Sequence, residues 1–374
     1  MQIKIQRDIL QEVLSLISSV ARTTSKNAQD KAASEFIVLH AQDDTASFRI
    51  FNGHEVLEID LEAEVLEHGD TFLPLSKFIT TCQNSSSEIL TISSYLTDSG
   101  GAGVRISGTN LVARWPVRHI ETLPPAWSAP PLEIPLEVAA LRALLQRVRK
   151  ALVDGGAGMF QSIRLIFRPG QVWAVAASNH KIAGASHKNE AIINKADALI
   201  PVIFLDSFEK VLSNVEETIY LGISENKLSI GTTQGIRYSC PAAIEGPPNV
   251  SALFKNNGMS FIEVDSGELL SALKLTSAGT KSDDSHGYIA VSFLRDGIKI
   301  AGTEDGSVVT KIDSEGGAGS NELTQGFKSD YFAAGVGKSK KVRIWYGAEE
   351  MSRVIFEHVD DLFDCRFVVS PARI

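Results

Sequence analysis

The side chains able to do chemistry are thinly spread along this chain of 374 residues. His180 stands out, because the run Val175-Ala176-Ala177 leads into Ser178-Asn179-His180-Lys181 at what reads as a strand end. A histidine there would work as a general base only beside a nucleophile and an orienting acid. No G-x-S-x-G elbow offers that nucleophile. Neither a P-loop nor a G-x-G-x-x-G follows a strand, so nucleotide chemistry is not indicated. Cys82, Cys240 and Cys365 lie far apart and lack C-x-x-C spacing. They read as buried thiols in a reducing compartment rather than as metal ligands. The acidic residues show neither EF-hand nor H-E-x-x-H spacing. The expectation is a protein with no metal, no cofactor and no catalytic constellation, one that acts by binding.

A second pattern is cationic. Arg142, Gln146 and Arg149 fall at i, i+4 and i+7, with Arg147 and Lys150 alongside. Opposite them Val138, Leu141, Leu145 and Val148 form an apolar face, so the segment reads as an amphipathic helix. The net charge of -9 argues by itself against a nucleic-acid partner, but a sum conceals a basic lining on an acidic body. The hydrophobic fraction of 44% and charged fraction of 22% suit a globular protein with real cores. The opening MQIKIQRDILQEV carries charge inside its apolar pattern, unlike a signal peptide. No run approaches the roughly eighteen apolar residues of a membrane span. A cytoplasmic location without membrane contact is expected.

The elements that must position these residues recur three times. Each copy opens with a short strand and an amphipathic helix: QIKIQRDILQEVLSLISSV, LEIPLEVAALRALLQRVRKALV and FIEVDSGELLSALKLTSAG. In the first, Ile9, Val13, Leu16, Ile17 and Val20 keep helical spacing and Asp8 is placed to cap. In the third, Leu269, Leu270 and Leu273 do the same. Ile37, Ile163 and Ile289 begin the strand pairs that follow and are spaced by 126 residues each. A further strand, a second helix and three closing strands complete each copy. The predicted plan is α+β, β-α-β-β-β-α-β-β-β used three times. Pro-rich breaks place the domains at 1–124, 125–250 and 251–374.

This threefold plan, the segment VWAVAASNHKIAGAS and the ending FVVSPARI resemble the bacterial DNA polymerase III β subunit, the sliding-clamp family. The family pattern A-T-D-G-H-R-L-A reads here Ala176-Ala177-Ser178-Asn179-His180-Lys181-Ile182-Ala183. The terminal V-[VM]-x-P-[MV]-R-[LI] reads Val368-Val369-Ser370-Pro371-Ala372-Arg373-Ile374. The resemblance spans essentially the whole chain. It implies a DNA clamp fold and a head-to-tail homodimer forming a six-domain ring around duplex DNA. Such a ring is no enzyme. A clamp loader places it on DNA, where it tethers polymerases and other proteins carrying a clamp-binding motif, at the nucleoid. A diverged clamp-like interaction module that does not close into a loaded ring is the second reading.

The resemblance also assigns sites. The partner-peptide groove falls on His180, Lys181, Ile182, Pro248, Leu253, Tyr331, Val368, Val369, Ser370, Pro371, Ala372, Arg373 and Ile374. Ser251 and Ala252 stand where the family often has cations, and Ala372 where it often has Met. An apolar slot with a polar rim suits an extended peptide with hydrophobic anchors. The DNA-facing set is Arg22, Lys26, Arg142, Gln146, Arg149, Lys150, Lys210 and Lys274, a modest basic lining giving weak, salt-sensitive, sequence-independent attraction. For ring closure, Leu111 and Val112 on an edge strand and Leu273 and Leu275 on the third opening helix are the interface candidates.

Overall fold

The computed structural model describes residues 1–21, 35–98, 100–117, 130, 132–152, 158–215, 217–224, 226–248, 250–279, 287–302, 309–316, 322–359 and 363–373. The first copy runs β1 (Gln2–Gln6), α1 (Arg7–Val20), β2 (Phe36–Gln42), β3 (Thr45–Phe51), β4 (Val56–Leu61), β5 (Ala63–Glu67), β6 (Gly69–Pro74), α2 (Leu75–Asn84), β7 (Ile89–Leu96), β8 (Ala102–Gly108) and β9 (Leu111–Pro116). The second runs β10 (Leu132–Glu137), α3 (Val138–Arg149), β11 (Ser162–Arg168), β12 (Gln171–Ala177), β13 (Lys181–Lys188), β14 (Ala196–Pro201), α4 (Val202–Ser213), β15 (Thr218–Ile223), β16 (Lys227–Thr232) and β17 (Ile236–Pro241). The third runs β18 (Ser260–Asp265), α5 (Ser266–Gly279), β19 (Tyr288–Phe293), β20 (Gly297–Gly302), β21 (Val309–Asp313), β22 (Leu323–Lys328), α6 (Ser329–Val336), β23 (Lys341–Tyr346), β24 (Val354–His358) and β25 (Asp364–Val369).

The α+β repeat is therefore present, with one more strand between the helices than the sequence reading gave; in the first copy Glu62 splits that strand into β4 and β5. In the second copy the extra strand is β13, KIAGASHK, whose small residues carry little strand propensity. It is a strand because β12 and β25 hydrogen-bond both its edges. Helix α1 also differs in detail. It begins at Arg7, Asp8 lies in its first turn without capping it, and its buried line is Leu10, Leu14, Leu16, Ile17 and Val20. Ile9 and Val13 are half-buried, because two adjacent apolar lines fit one helical period and packing selects between them.

The chain forms two compact units, residues 1–139 with 203–242, and residues 140–202 with 243–374. In the first, an eight-stranded sheet has the order β10-β15-β16-β17-β4-β3-β2-β6, and a five-stranded sheet the order β5-β1-β7-β8-β9. The eight-stranded sheet joins two copies where β17 pairs antiparallel with β4, Ile236 opposite Ile59 and Ser239 opposite Val56. Arg237 bridges that seam to Glu58 (2.9 Å) and Asp60 (2.7 Å). Phe48 packs edge-on against Phe78, 5.7 Å between centroids, in the core beneath. In the second unit the eight-stranded order is β14-β11-β12-β13-β25-β24-β23-β18, joined where β13 pairs with β25 from Lys181 opposite Val369 to Ser186 opposite Asp364. A four-stranded sheet, β21-β20-β19-β22, completes it. Phe332 holds α6 to that unit's core, between Phe327 and Phe356 at 5.0 and 4.9 Å. None of the three cysteines forms a disulfide, and all three are buried. Burial pushes the Cys82 and Cys240 thiols up to about 12, far from thiolate reactivity.

Candidate functional site

The second unit brings the predicted groove residues together. The β12–β13 turn is closed by the Ser178 amide donating to the Lys181 carbonyl at 2.7 Å. That turn leaves His180 exposed, its ring stacked on Tyr331 of α6 with centroids 5.9 Å apart and planes 22° apart. From the other side the chain end meets the same turn. The Ser370 amide donates to the His180 carbonyl (3.0 Å), and the Ala372 amide to the Gly326 carbonyl on β22 (2.8 Å). The apolar C-terminal run is thus the last strand of an eight-stranded sheet, with a short tail anchored twice beyond it. Arg373 is exposed at its tip, and Ile374 lies outside the described residues.

The floor is apolar. Val368, Val175, Val250, Phe254 and Ile355 are buried in one cluster, with Ile182, Leu253, Ile166, Met259 and Trp345 half-buried against it. A 3₁₀ turn at Ser251–Phe254 carries Leu253 and Phe254. Its last carbonyls are held by arginines: Arg353 Nε donates to Leu253 O (3.0 Å), and Arg366 Nη1 to Phe254 O (2.8 Å). Gly184 on β13 is required here. A Cβ at that position would sit 2.7 Å from Phe254 Cζ, closer than packed carbons allow. Pro248 is exposed at the edge. Phe254, Val250 and the two arginines were not singled out in the sequence, although the spacing of Val250 and Phe254 in VSALF marks one apolar face.

Two groove assignments change. Lys181 is only 8% exposed, and its Nζ donates to the carbonyls of Lys150 (3.0 Å) and Leu152 (3.4 Å) just past α3. It is an internal tie, not a rim cation, because a buried ammonium requires acceptors. Val369 is fully buried and serves the β13–β25 ladder, not the groove wall, since alternate strand residues face opposite sides.

Helix α3 keeps its predicted faces. Arg142, Gln146, Arg149 and Lys150 are exposed, while Leu141, Leu144, Leu145 and Val148 are buried. Arg147 turns aside, its guanidinium carbon 4.1 Å from the Phe363 ring centroid. Desolvation and the neighbouring Lys338 charge hold the Lys150 ammonium below its ordinary range, as expected where cations crowd. Lys210 on α4 and Lys274 on α5 are exposed; Arg22 and Lys26 lie outside the described residues.

At the edges, β9 and β21 each end a sheet. Val112 on β9 is 59% exposed, and Leu111 beside it is half-buried. Leu275 on α5 is 59% exposed, but Leu273 is 2% exposed and belongs to the core stripe with Leu269, Ala272 and Thr276. Leu273 is therefore withdrawn as an interface residue: a helix carries one buried stripe, and Leu273 is on it. Val309 on β21, 56% exposed, is the edge residue that the sequence reading missed.

Among the described residues no cluster of three or more His, Cys, Asp or Glu is placed to hold a metal ion. No described helix is long and apolar enough to cross a membrane.

These elements define a DNA sliding-clamp fold. Across 100% of both chains the protein resembles the DNA polymerase III subunit beta from Pseudomonas aeruginosa, with TM-score 0.86 and 17% identity. It is similar to the DNA polymerase sliding clamp from Bacillus subtilis at TM-score 0.87 and 16% identity, over 100% of this chain and 99% of that one. The beta subunit from DNA polymerase of Streptococcus pyogenes matches at TM-score 0.85 and 14% identity, over 100% of both chains. No protein-family model matches the sequence, and no curated protein is significantly similar to it.

Proposed function

We propose that this protein is a DNA sliding clamp. Two chains close head to tail around duplex DNA and hold DNA polymerases and other peptide-bearing partners on it, as a tether rather than a catalyst. In this reading residues 1–124, 125–250 and 251–374 are three like domains, and a loader opens the ring.

The observation that carries the reading is a sheet cut in two. In each eight-stranded sheet the last strand of one copy pairs with a strand of the copy before it, β17 with β4 and β25 with β13. By the same rule β9 of the first copy and β21 of the third should be partners, yet among the described residues each is the end strand of its sheet. In this reading β1-β7-β8-β9 of the five-stranded sheet and the four strands β21-β20-β19-β22 are the two halves of a third sheet like the other two, with β5 added at its far edge. A second copy supplies the missing half at each end, and two chains then leave neither edge open. The exposed valines Val112 and Val309 are the apolar residues that such a seam would cover. The α3 stripe gives DNA a sequence-independent attraction. The groove at His180, Ile182, Leu253, Tyr331 and Val368, with Ser370, Pro371, Ala372 and Arg373 as its wall, gives partners a peptide slot.

Topology is the test. A ring threads onto linear duplex, is trapped when both ends are capped with streptavidin, and is released by a restriction cut. Retention at high salt that depends on both caps is expected. Equal retention on capped and cut DNA would overturn ring closure.

A further inference from the structure

The turn that presents His180 is tied to the end of the helix that carries the basic stripe. Lys181 Nζ donates to the carbonyls of Lys150 and Leu152, in the stretch of chain that leaves α3. The same ammonium lies 4.8 Å from the centroid of the Tyr331 ring, on which His180 stacks. One buried cation therefore touches two features that the proposed function uses for different partners. Carbonyls at a helix C-terminus lack intrahelical donors and attract cations, so the tie stabilises both sides.

The first copy shows that the tie is a device of the fold. Residues 52–55 precede residues 178–181 by the 126-residue repeat, aligning Asn52-Gly53-His54-Glu55 with Ser178-Asn179-His180-Lys181. There too the turn is bound to the end of its copy's opening helix: Asn52 Nδ2 donates to Val20 O at 2.7 Å. There too the histidine lies against an aromatic residue in the second helix of the following copy, His54 with Phe204 of α4 at 6.1 Å between ring centroids, as His180 does with Tyr331 of α6. The architecture repeats while the chemistry differs. A neutral amide does in one copy what a lysine, reaching the aromatic ring as well, does in the other.

We propose that Lys181 is a positioning residue that couples the peptide groove to the C-terminal end of α3, so that a peptide in the groove steadies the last turn of the basic helix. The groove's role as a peptide site rests on the proposed function; the tie itself does not. The last turn reports on the tie through the Ala151 and Leu152 amides, which donate to Val148 O (2.9 Å) and Arg149 O (3.0 Å).

The experiment is amide hydrogen exchange on the full-length protein and on the Lys181→Met and Lys181→Arg variants. Each is measured alone and with a saturating fluorescein-labelled peptide carrying Gln followed by Leu-Phe anchors. Without peptide, Ala151 and Leu152 should exchange about tenfold faster in Lys181→Met, with recovery in Lys181→Arg, while exchange in β11 and β12 stays unchanged. With peptide, their exchange should slow in the wild type and in Lys181→Arg only. Unchanged peptide-free exchange in Lys181→Met would overturn the tie. Peptide-induced slowing that persists in Lys181→Met would overturn the coupling. A wild type that binds no peptide refutes the coupling and the peptide-site reading together, while the peptide-free arm still decides the tie. General loss of protection in Lys181→Met together with no recovery in Lys181→Arg would make Lys181 merely a structural residue and overturn positioning.

Discussion

Single side chains set how each seam of this fold behaves. Glu55 is the sharpest case: a carboxyl that is 4% exposed, accepting from Asn52 Nδ2 at 2.6 Å and from the Tyr238 hydroxyl at 2.5 Å, beside the seam between β4 and β17. Burial raises its pKa above 4.5, and the hydrogen bonds from Tyr238, Asn52 and Ser207, with the His54 charge, only partly offset this. The folded chain therefore holds this proton more tightly than the unfolded chain does. The Glu55 contribution to stability falls as pH rises from about 4.5 through the raised value, and is most favourable below that window. Urea unfolding of wild type and Glu55→Gln, followed as pH rises from the acid side through neutrality, should show a decline in the wild type that the variant lacks. Parallel pH profiles would refute this account. Lys181 makes the complementary point: a cation that the family resemblance assigns to the groove instead holds backbone carbonyls, because burial demands partners.

Elements decide whether the groove exists. Strand β13 has β25 on one side and β12 on the other, and its glycine leaves room for the tip of the Phe254 ring. Replacing Gly184 by Ala should push the Ser251–Phe254 turn outward, moving Leu253 from the slot. Overpacking of this kind costs about 1–3 kcal/mol. The expected result is a lower thermal midpoint and weaker peptide binding by fluorescence anisotropy, with DNA retention preserved. Unaltered peptide affinity in a destabilised variant would mean that the turn does not set the slot. The periodic patterns predicted α3 and the buried Leu269 of α5 well, since a 3.6-residue stripe is local. They missed β13 because its strand state comes from its neighbours rather than from its own Ala, Gly and Ser.

The whole molecule turns on two open edges. Val309→Arg on β21 places a charge where a second copy's β9 would pair. Light scattering should then shift from about 81 kDa, twice the 40.4 kDa chain, to a single chain. Leu273→Ala should leave the mass of the pair unchanged and cost about 2–5 kcal/mol of stability, as a core truncation does. The reverse pattern would restore Leu273 to the interface and remove β21 from it.

The sequence by itself determined the repeat, its 126-residue period, the α+β character and the amphipathic faces of α3. These follow from residue spacing and type, which act over a few neighbours. Only the tertiary structure decided which copies share a sheet, that Lys181 faces inward to the end of α3, that Leu273 is core while Val309 is edge, and that Phe254 rests on Gly184. Each depends on hydrogen bonds or contacts between residues far apart in the chain, and pairings of that kind leave no local periodicity to read.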